Sequence, residues 1–323
     1  MTARSSIGVD VGGTRVKAGL VDADGAVLVT AQRPTPGRTA PDAVLERTLL
    51  SAIQELLADP AAKDRGVDGV GVAVAGLVDE TRGTVVYAPH LPWRDVPLRD
   101  RLAARLHLPV VVDNDANAAA WAEHRFGAGR GESHLLMLTL GTGIGGAVLT
   151  EGRLQRGRHG LAGELGHVRV VPDGRSCPCG NRGCWEQYVS GTVVRREGQE
   201  LVRHGGPAAA ALAAACGGDP DRLRGDDVTR LAREGDPASR SVLDDVGGWL
   251  GVGLAGAVAI LDPGTVVVGG GLSEAGDLLL DPARAALARH LLGRDHRLLP
   301  AVVPAALGVG AGLVGAADLA RSP

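Results

Sequence analysis

Three of the four cysteines in this 323-residue chain, Cys177, Cys179 and Cys184, crowd into one short stretch, and His167 stands shortly upstream. Three thiolates and one imidazole match a tetrahedral Zn2+ with no open position, so the expected metal is structural. The segment reads Gly-Glu-Leu-Gly-His and then Cys-Pro-Cys-Gly-Asn-Arg-Gly-Cys-Trp-Glu. It holds too much Gly and Pro for a strong helix or strand. A loop that cannot draw on a core needs another source of folding energy, and metal binding supplies one. It would also fix Glu164 and Glu186, which flank the cluster, and a rigid pair of carboxylates suits a binding site. A disulfide with a spare thiol is the alternative reading. It fits a small secreted chain better than one of this length, and the N-terminus MTARSSIGVD has no apolar leader. Cys216 lies apart in an Ala-rich stretch and reads as an idle buried thiol.

The length predicts two domains. The formal net charge is -3 and both signs are mixed along the chain without a basic run, so nucleic acid is not an expected partner. The longest apolar stretch, 247–261, is too short and too glycine-rich for a bilayer span, so no membrane is expected and the compartment is read as cytoplasmic. Aromatic residues make up 2% of the chain, which leaves Ala, Val, Leu and Gly to fill the core.

Alternation and turn residues predict strands at 6–11, 16–21 and 26–32, then a helix at 41–57, a strand at 67–74, a helix at 97–106 and a strand at 110–112. In 41–57, Val44, Leu45, Leu49, Ile53 and Leu56 recur at helical spacing. A second pass gives strands at 134–140 and 145–149, a helix at 239–261, a strand at 265–268, a helix at 282–292, a strand at 299–303 and a closing helix at 308–320. The repeat predicts an α/β chain with two copies of one mixed sheet and a cleft between them. Residues 190–236 are Ala/Gly/Arg-rich and carry no readable pattern.

Three glycine loops each follow a predicted strand: Asp10-Val-Gly12-Gly13-Thr14, Gly141-Thr142-Gly143-Ile-Gly-Gly, and Gly269-Gly270-Gly271. Glycine lets the backbone take positive φ and lets a ligand approach, and successive N–H groups in such turns cradle phosphate oxygens. One such loop is common in plain hairpins, but three, shared between both halves, point to a bound nucleotide. None is a P-loop or a dinucleotide fingerprint. Asp10 leads its loop and is a candidate for Mg2+ through water, the alternative being an ordinary turn aspartate. Asp113-Asn114-Asp115-Ala-Asn117 precedes an Ala-rich helix at 116–126. An N-cap needs one polar residue, and the surplus suggests a second task. Asn114 and Asp115 would bind adjacent hydroxyls of a polyol, with Asp115 accepting a proton. The helix dipole makes that carboxylate a weak base, which phosphoryl transfer tolerates because its transition state is loose.

Taken in order, Asp-x-Gly-Gly-Thr, Asn-Asp-Ala-Asn, Leu-Gly-Thr-Gly-Ile-Gly-Gly, Gly-Glu-Leu-Gly-His, Cys-x-Cys-Gly-x-x-Gly-Cys-x-Glu and Asp-Pro-x-x-Val-Val-x-Gly-Gly-Gly resemble the ROK family (repressor, open reading frame, kinase), and its bacterial glucokinases most. The resemblance runs from about Ile7 to Ala317. It implies a two-domain, actin-like ATPase fold duplicated from a ribonuclease-H-like unit, with a small domain of 1–112 plus 304–323 and a large domain of 113–303. It implies ATP-dependent phosphorylation of a hexose, with Asp115 as base on the 6-hydroxyl. Asn114, Glu164, His167, Glu186, Gly76 and His90 fall at its sugar-binding positions. His167, Cys177, Cys179 and Cys184 fall at its zinc ligands. Asp10, Gly12, Gly13, Thr14, Lys17, Gly141, Thr142, Gly143 and Gly270 fall in or beside its nucleotide loops. A homodimer or tetramer is implied as well.

The chain departs from that pattern at Ala75-Gly76, where Pro-Gly is frequent, at His90, where Asn is frequent, and at Arg15, where Lys is frequent. His90 bears on which hexose is taken. Rival readings are a sugar-sensing repressor, for which the first strand starts too early to leave room for a DNA-binding domain, a kinase for N-acetylmannosamine, N-acetylglucosamine, fructose or allose, a polyphosphate-dependent glucokinase, and a non-enzymatic metal module.

Overall fold

A computed structural model describes residues 4–321. Its first strand, β1 (Ser5–Val11), pairs antiparallel with β2 (Arg15–Val21), which pairs antiparallel with β3 (Val27–Pro34). After α1 (Asp42–Ala58) and the short α2 (Pro60–Arg65), β4 (Val67–Val74) returns parallel to β1. A small antiparallel sheet of β5 (Leu77–Val78), β6 (Val85–Tyr87) and β7 (Arg94–Val96) intervenes, followed by α3 (Leu98–Leu106). β8 (Val110–Asn114) then pairs parallel with β4 and leads directly into α4 (Asp115–Phe126).

The second copy starts with β9 (Leu135–Leu140), β10 (Ile144–Thr150) and β11 (Arg153–Leu154). Helices α5 (Gly191–His204), α6 (Ala210–Ala215), α7 (Gly225–Glu234) and α8 (Pro237–Leu261) follow. Then come β12 (Thr265–Gly269), α9 (Asp277–His290), β13 (Ala301–Pro304) and α10 (Ala311–Arg321). The two large sheets have orders β3-β2-β1-β4-β8 and β11-β10-β9-β12-β13, the same order with the same senses where both are read. That repeated order is the duplicated ribonuclease-H-like unit of the actin-like ATPase fold. By contacts the chain forms two compact units: 4–137 with 147–163 and 306–321, and 138–146 with 164–305. The first of these includes α4, beyond the boundary at residue 112 that the sequence suggested.

In the first unit the pleat of β1 sorts its residues between two helices. Ile7, Val9 and Val11 are fully buried in one cluster with Leu45, Leu49, Ile53 and Leu56, which share a face of α1. The opposite face, Ser6, Gly8 and Asp10, meets α10. A Cβ on Gly8 would lie 1.9 Å from the Leu313 carbonyl oxygen, and one on Gly71 of β4 would lie 1.7 Å from that of Ala316. The last helix therefore lies directly on the backbone of the first and fourth strands. Two buried carboxylates tie it and the segment leading into it to α4. Glu123 accepts from the Ala306 and Leu307 amides at 3.1 and 2.8 Å, and Asp318 accepts from Trp121 Nε1 at 2.8 Å and Arg125 Nε at 3.1 Å.

The structure corrects several expectations. Residues 190–236, expected to be irregular, are mostly helical, with short apolar stripes in α5 and α7. Helix α9 starts at Asp277, ahead of the expected 282. Pro282 reads as a helix start because its missing N–H belongs there. It sits inside α9 instead, and its ring packs where α8 has Gly247: a Cβ there would lie 2.6 Å from Pro282 Cγ. Helix α8 continues well before residue 247, and with 25 residues and mean hydropathy 1.3 in its richest window it is long and apolar enough to cross a membrane by length and composition. Its buried side, with Val242, Leu243, Val246, Leu250, Leu254 and Val258, belongs to the core of the second unit.

Candidate active site

The first unit presents two polar loops at strand ends. In the β1–β2 turn the Gly12 amide donates to the Arg15 carbonyl at 3.1 Å, and Thr35 braces the loop by donating from Oγ1 to the Gly12 carbonyl at 2.7 Å. Asp10 stands opposite Lys17 in the β1–β2 register. Burial pushes the Asp10 carboxyl above its usual range, and Lys17 opposes this. The carboxyl faces the first turn of α10, where a Cβ on Gly312 would lie 3.4 Å from its Cγ. His90, in the β6–β7 turn, is exposed and adjoins the same loop, 3.4 Å from where Gly13 would carry a Cβ.

The second polar loop is the β8–α4 junction. Asn114 is the N-cap: its Oδ1 accepts from the Ala116 and Asn117 amides at 2.8 and 3.1 Å, and its Nδ2 donates to the Gly76 carbonyl at 3.1 Å. Asn114 and Gly76 are thus brought together. Gly76 has no room for a side chain, since a Cβ would lie 2.6 Å from the Tyr87 carbonyl oxygen. Asp115 is the first residue of α4, and its Oδ1 accepts from the Ala116 amide at 3.0 Å.

Asp113, which sequence reasoning did not single out, is the hub of this junction. Its side chain is 4% exposed. It accepts from the Asn114 amide at 2.9 Å, from Asn117 Nδ2 at 3.0 Å, and from Arg156 Nε and Nη2 at 3.0 and 2.6 Å. Arg82 Nε lies 3.4 Å away as a further ion pair, without hydrogen-bond geometry. Arg82 takes the left-handed conformation, φ 56°, in a turn that Asp79 holds by accepting from the Gly83 and Thr84 amides. The only hint in the sequence was a carboxylate on an apolar strand, which must find a cation. Nothing local marks Arg82 or Arg156 as that cation.

In the second unit the expected metal ligands converge. One ligand atom from each of His167, Cys177, Cys179 and Cys184 lies within 4.8 Å of all the others. Cys177 Sγ is 3.7 Å from His167 Nδ1, and Cys179 Sγ is 3.7 Å from Cys184 Sγ. A tetrahedron of Zn–S bonds about 2.3 Å long has S···S edges of about 3.8 Å, so the spacing fits zinc. Burial pushes the Cys177 and Cys184 thiols up. At Cys179 burial also pushes up, but the Asn181 amide and the neighbouring thiols prevail and hold it below the usual range. Zinc would take these thiols as thiolates, its charge offsetting the burial that raises Cys177 and Cys184. The loop contains short 3-10 turns, Leu165–His167 and Trp185–Gln187, and the isolated bridges Arg169–Cys184 and Ser176–Arg182, but no longer helix or strand, as its Gly and Pro content implied.

Both flanking carboxylates belong to this cluster. Glu186 Oε1 accepts from the Cys177 thiol at 3.0 Å and lies 3.8 Å from His167 Nδ1. Its Oε2 reaches over the glycine loop, where a Cβ on Gly143 would lie 2.5 Å away. Burial raises the Glu164 carboxyl; His167 lowers it and Glu186 raises it further.

The glycine loop also borders a cavity of about 480 Å3. Gly141 and Thr142 line one side, and their carbonyls accept from the Gly191 amide and Thr192 Oγ1, each at 2.8 Å. Gly271 and Leu272 line another, beside Gly270, whose φ of 83° and place against the Leu140 carbonyl allow no side chain. The remaining wall comes from residues 194–226. It supplies apolar Val194 and Leu223, the cations Arg195, Arg222 and Arg224, and the carboxylates Asp221 and Asp226, the last paired with Arg224 at 3.3 Å. A cavity of this size, with apolar walls and charges of both signs at its rim, has room for a flat-ringed molecule.

A ROK family model matches residues 6–322. Over 318 residues the chain is 44% identical to a glucokinase of Streptomyces coelicolor, covering 98% of each protein. It is 37% identical over 319 residues to a glucokinase of Thermotoga maritima, covering 98% of this chain and 96% of that one. A solved ROK family glucokinase from Streptomyces griseus, in complex with glucose and AMPPNP, superposes with a TM-score of 0.88 at 43% identity, covering 99% of this chain and 100% of that one.

Proposed function

We infer the function from one premise: this chain belongs to the ROK family. It is an ATP-dependent glucokinase that forms glucose 6-phosphate. The observation that carries this reading is the near-complete likeness to a glucokinase holding glucose and an ATP mimic. Cytoplasmic action on a small sugar and ATP, without nucleic acid or membrane, goes with it.

The residue roles follow from chemistry. Asp115 accepts the proton of the sugar 6-hydroxyl as the bond to phosphorus forms. Its place in the first turn of α4 fixes its position, and correct orientation supplies more rate than basicity does. Asn114 spends its oxygen on the cap and one amide hydrogen on Gly76, so one amide hydrogen remains for a sugar oxygen. Glu164 and Glu186 accept from sugar hydroxyls, and Gly76 and His90 complete that recognition. His167 would turn Nδ1 to zinc and offer Nε2 to the sugar, so the metal knuckle orients sugar contacts as well as folding its loop. The ion, held by His167, Cys177, Cys179 and Cys184, supplies structure and no step of the reaction.

Gly141, Thr142 and Gly143, with Gly270 and the cavity beside them, hold the nucleotide; Gly12, Gly13 and Thr14 hold phosphate oxygens with Lys17 nearby. Asp10 would hold Mg2+, whose charge would offset the burial that raises its carboxyl. A coupled assay across hexoses with ATP and with polyphosphate tests the whole reading. Glucose with ATP should give the highest kcat/KM. Asp115→Asn should lose roughly a thousandfold or more in kcat, in line with loss of a general base and its orienting contacts. Wild-type turnover in Asp115→Asn would remove Asp115 from the role of base.

A further inference from the structure

The turn that carries His90 is clamped from within. Between β6 and β7 the chain reads Ala88-Pro89-His90-Leu91-Pro92-Trp93. Its two prolines supply no N–H, so the turn has few donors of its own. Two long backbone bonds cross it, each 3.3 Å, from the Leu91 amide to the Ala88 carbonyl and from the Ala88 amide to the Trp93 carbonyl. Arg94 supplies the rest. Its Nη1 donates to the Ala88, Leu91 and Trp93 carbonyls at 2.7, 3.1 and 2.5 Å. Its guanidinium lies 4.2 Å from the ring centroid of Tyr87, its cross-strand partner in the β6–β7 register. No carboxylate pairs with Arg94 among the described residues. The cation therefore serves the turn alone, through charge-assisted bonds and an aromatic face.

This turn sits between two parts of the site. On one side Ala88 packs on Gly76, where a Cβ would lie 2.9 Å from Ala88 Cα, and the Gly76 carbonyl accepts from Asn114 of the β8–α4 junction. On the other side His90 adjoins Gly13 of the β1–β2 loop. Ala88, Leu91 and Trp93 are buried in the core of the first unit, which anchors the apolar side of the turn. His90 is exposed, and its side chain has no partner among the described residues.

We propose that Arg94 is a positioning residue for hexose selection: by clamping the turn at 88–93 it fixes His90, and so which sugar hydroxyls the imidazole meets. This rests on the assignment of His90 to sugar recognition. Arg94 acts through the turn and not by contact with the sugar. Without the clamp the buried side chains still hold the hairpin, but His90 samples several positions, and a group without a fixed place discriminates poorly between epimers.

Steady-state kinetics of the full chain with ATP on glucose, mannose and galactose test this, with a melting curve for every variant. Arg94→Ala should raise the KM for glucose roughly tenfold and leave kcat within about threefold, the pattern of binding lost equally from ground and transition states. Arg94→Lys keeps a cation with three N–H donors and should bring the KM back to within about threefold of the wild type. With Arg94 in place, His90→Asn should shift the kcat/KM ratio of glucose to mannose or to galactose by about fivefold or more; in the Arg94→Ala background the same change should shift it by less than about twofold. Arg94→Gln serves the same cycle if Arg94→Ala does not fold. A hairpin that Arg94 merely stabilises would show a lower melting temperature with unchanged KM, or the same His90→Asn shift in both backgrounds, and either result overturns the clamp alone. A His90→Asn variant that keeps every hexose ratio of the wild type overturns the clamp together with the assignment of His90.

Discussion

Replacing Asp113 by alanine should do more damage than any other single change in the β8–α4 junction. The carboxylate is 4% exposed and its cations are 16% and 21% exposed, so solvent does little to screen them. Alanine strands two guanidiniums, the Asn114 amide and the Asn117 side-chain amide at once. Breaking a buried pair by removing one partner costs about 3–5 kcal/mol. For a unit of this size each kcal/mol shifts the melting temperature by about 2–4 °C, which gives a fall of roughly 6–20 °C. Asp113→Asn keeps an oxygen for the two neutral donors but leaves two like charges without a counter-ion, so it should lose about 2 kcal/mol. The same junction sets the angle of Asp115, so kcat at a temperature where Asp113→Asn remains folded should fall roughly tenfold or more. Differential scanning calorimetry and a coupled assay on one preparation give both numbers. An alanine variant within about 1 kcal/mol of the wild type would show that Arg82 and Arg156 do not depend on Asp113, and the reasoning would fail.

Three further outcomes are expected. Gly143→Ala places a methyl 2.5 Å from Glu186 Oε2, so it should raise the KM for glucose by displacing that carboxylate while the melting temperature moves by no more than about 1 kcal/mol equivalent; unchanged kinetics would contradict it. Elemental analysis should find about one zinc per chain, and a strong chelator should lower thermal stability and glucose binding together; zinc-free protein with full stability would contradict the fit of the four ligands. Asp10 has a carboxyl raised above its ordinary 3.8 by burial, so its favourable contribution is fully present below about pH 3.8 and is lost as pH rises through the folded value. Asp10→Asn should therefore be more stable than the wild type at neutral pH and no different at strongly acid pH, while catalysis falls; equal melting curves at pH 7 would contradict the burial argument.

The sequence exposed the parts of the fold whose patterns are local. The strands at β1, β2, β4 and β9 and helix α1 carry long apolar periods, and both copies of the sheet could be read from their order. The metal ligands were legible because Cys and His are rare and close in sequence, and their atoms do converge. Helices α5 and α7 do carry apolar stripes, Val193, Val194, Leu201 and Val202 in one and Val228, Leu231 and Ala232 in the other, but each stripe is short and the glycines at 191, 198, 205, 206 and 225 between and around them read as loop. For the same reason the apolar and charged walls of the 480 Å3 cavity were missed. Asp113 was hidden differently. Its partners sit 31 and 43 residues away at Arg82 and Arg156, and a pairing of that range leaves no trace in spacing. Pro282 misled because its usual place at a helix start outweighed the contact it makes with Gly247.

Helix α10 has a consequence for how the chain is made. Gly8 and Gly71 leave bare backbone on β1 and β4, and Leu313, Ala316 and Ala317 of α10 cover it. Those covering residues are made long after β1 and β4, and domains ordinarily fold as they emerge. The two strands must wait, with one side uncovered, until α10 has been translated. A stop codon just ahead of α10 would thus harm strands made well before it.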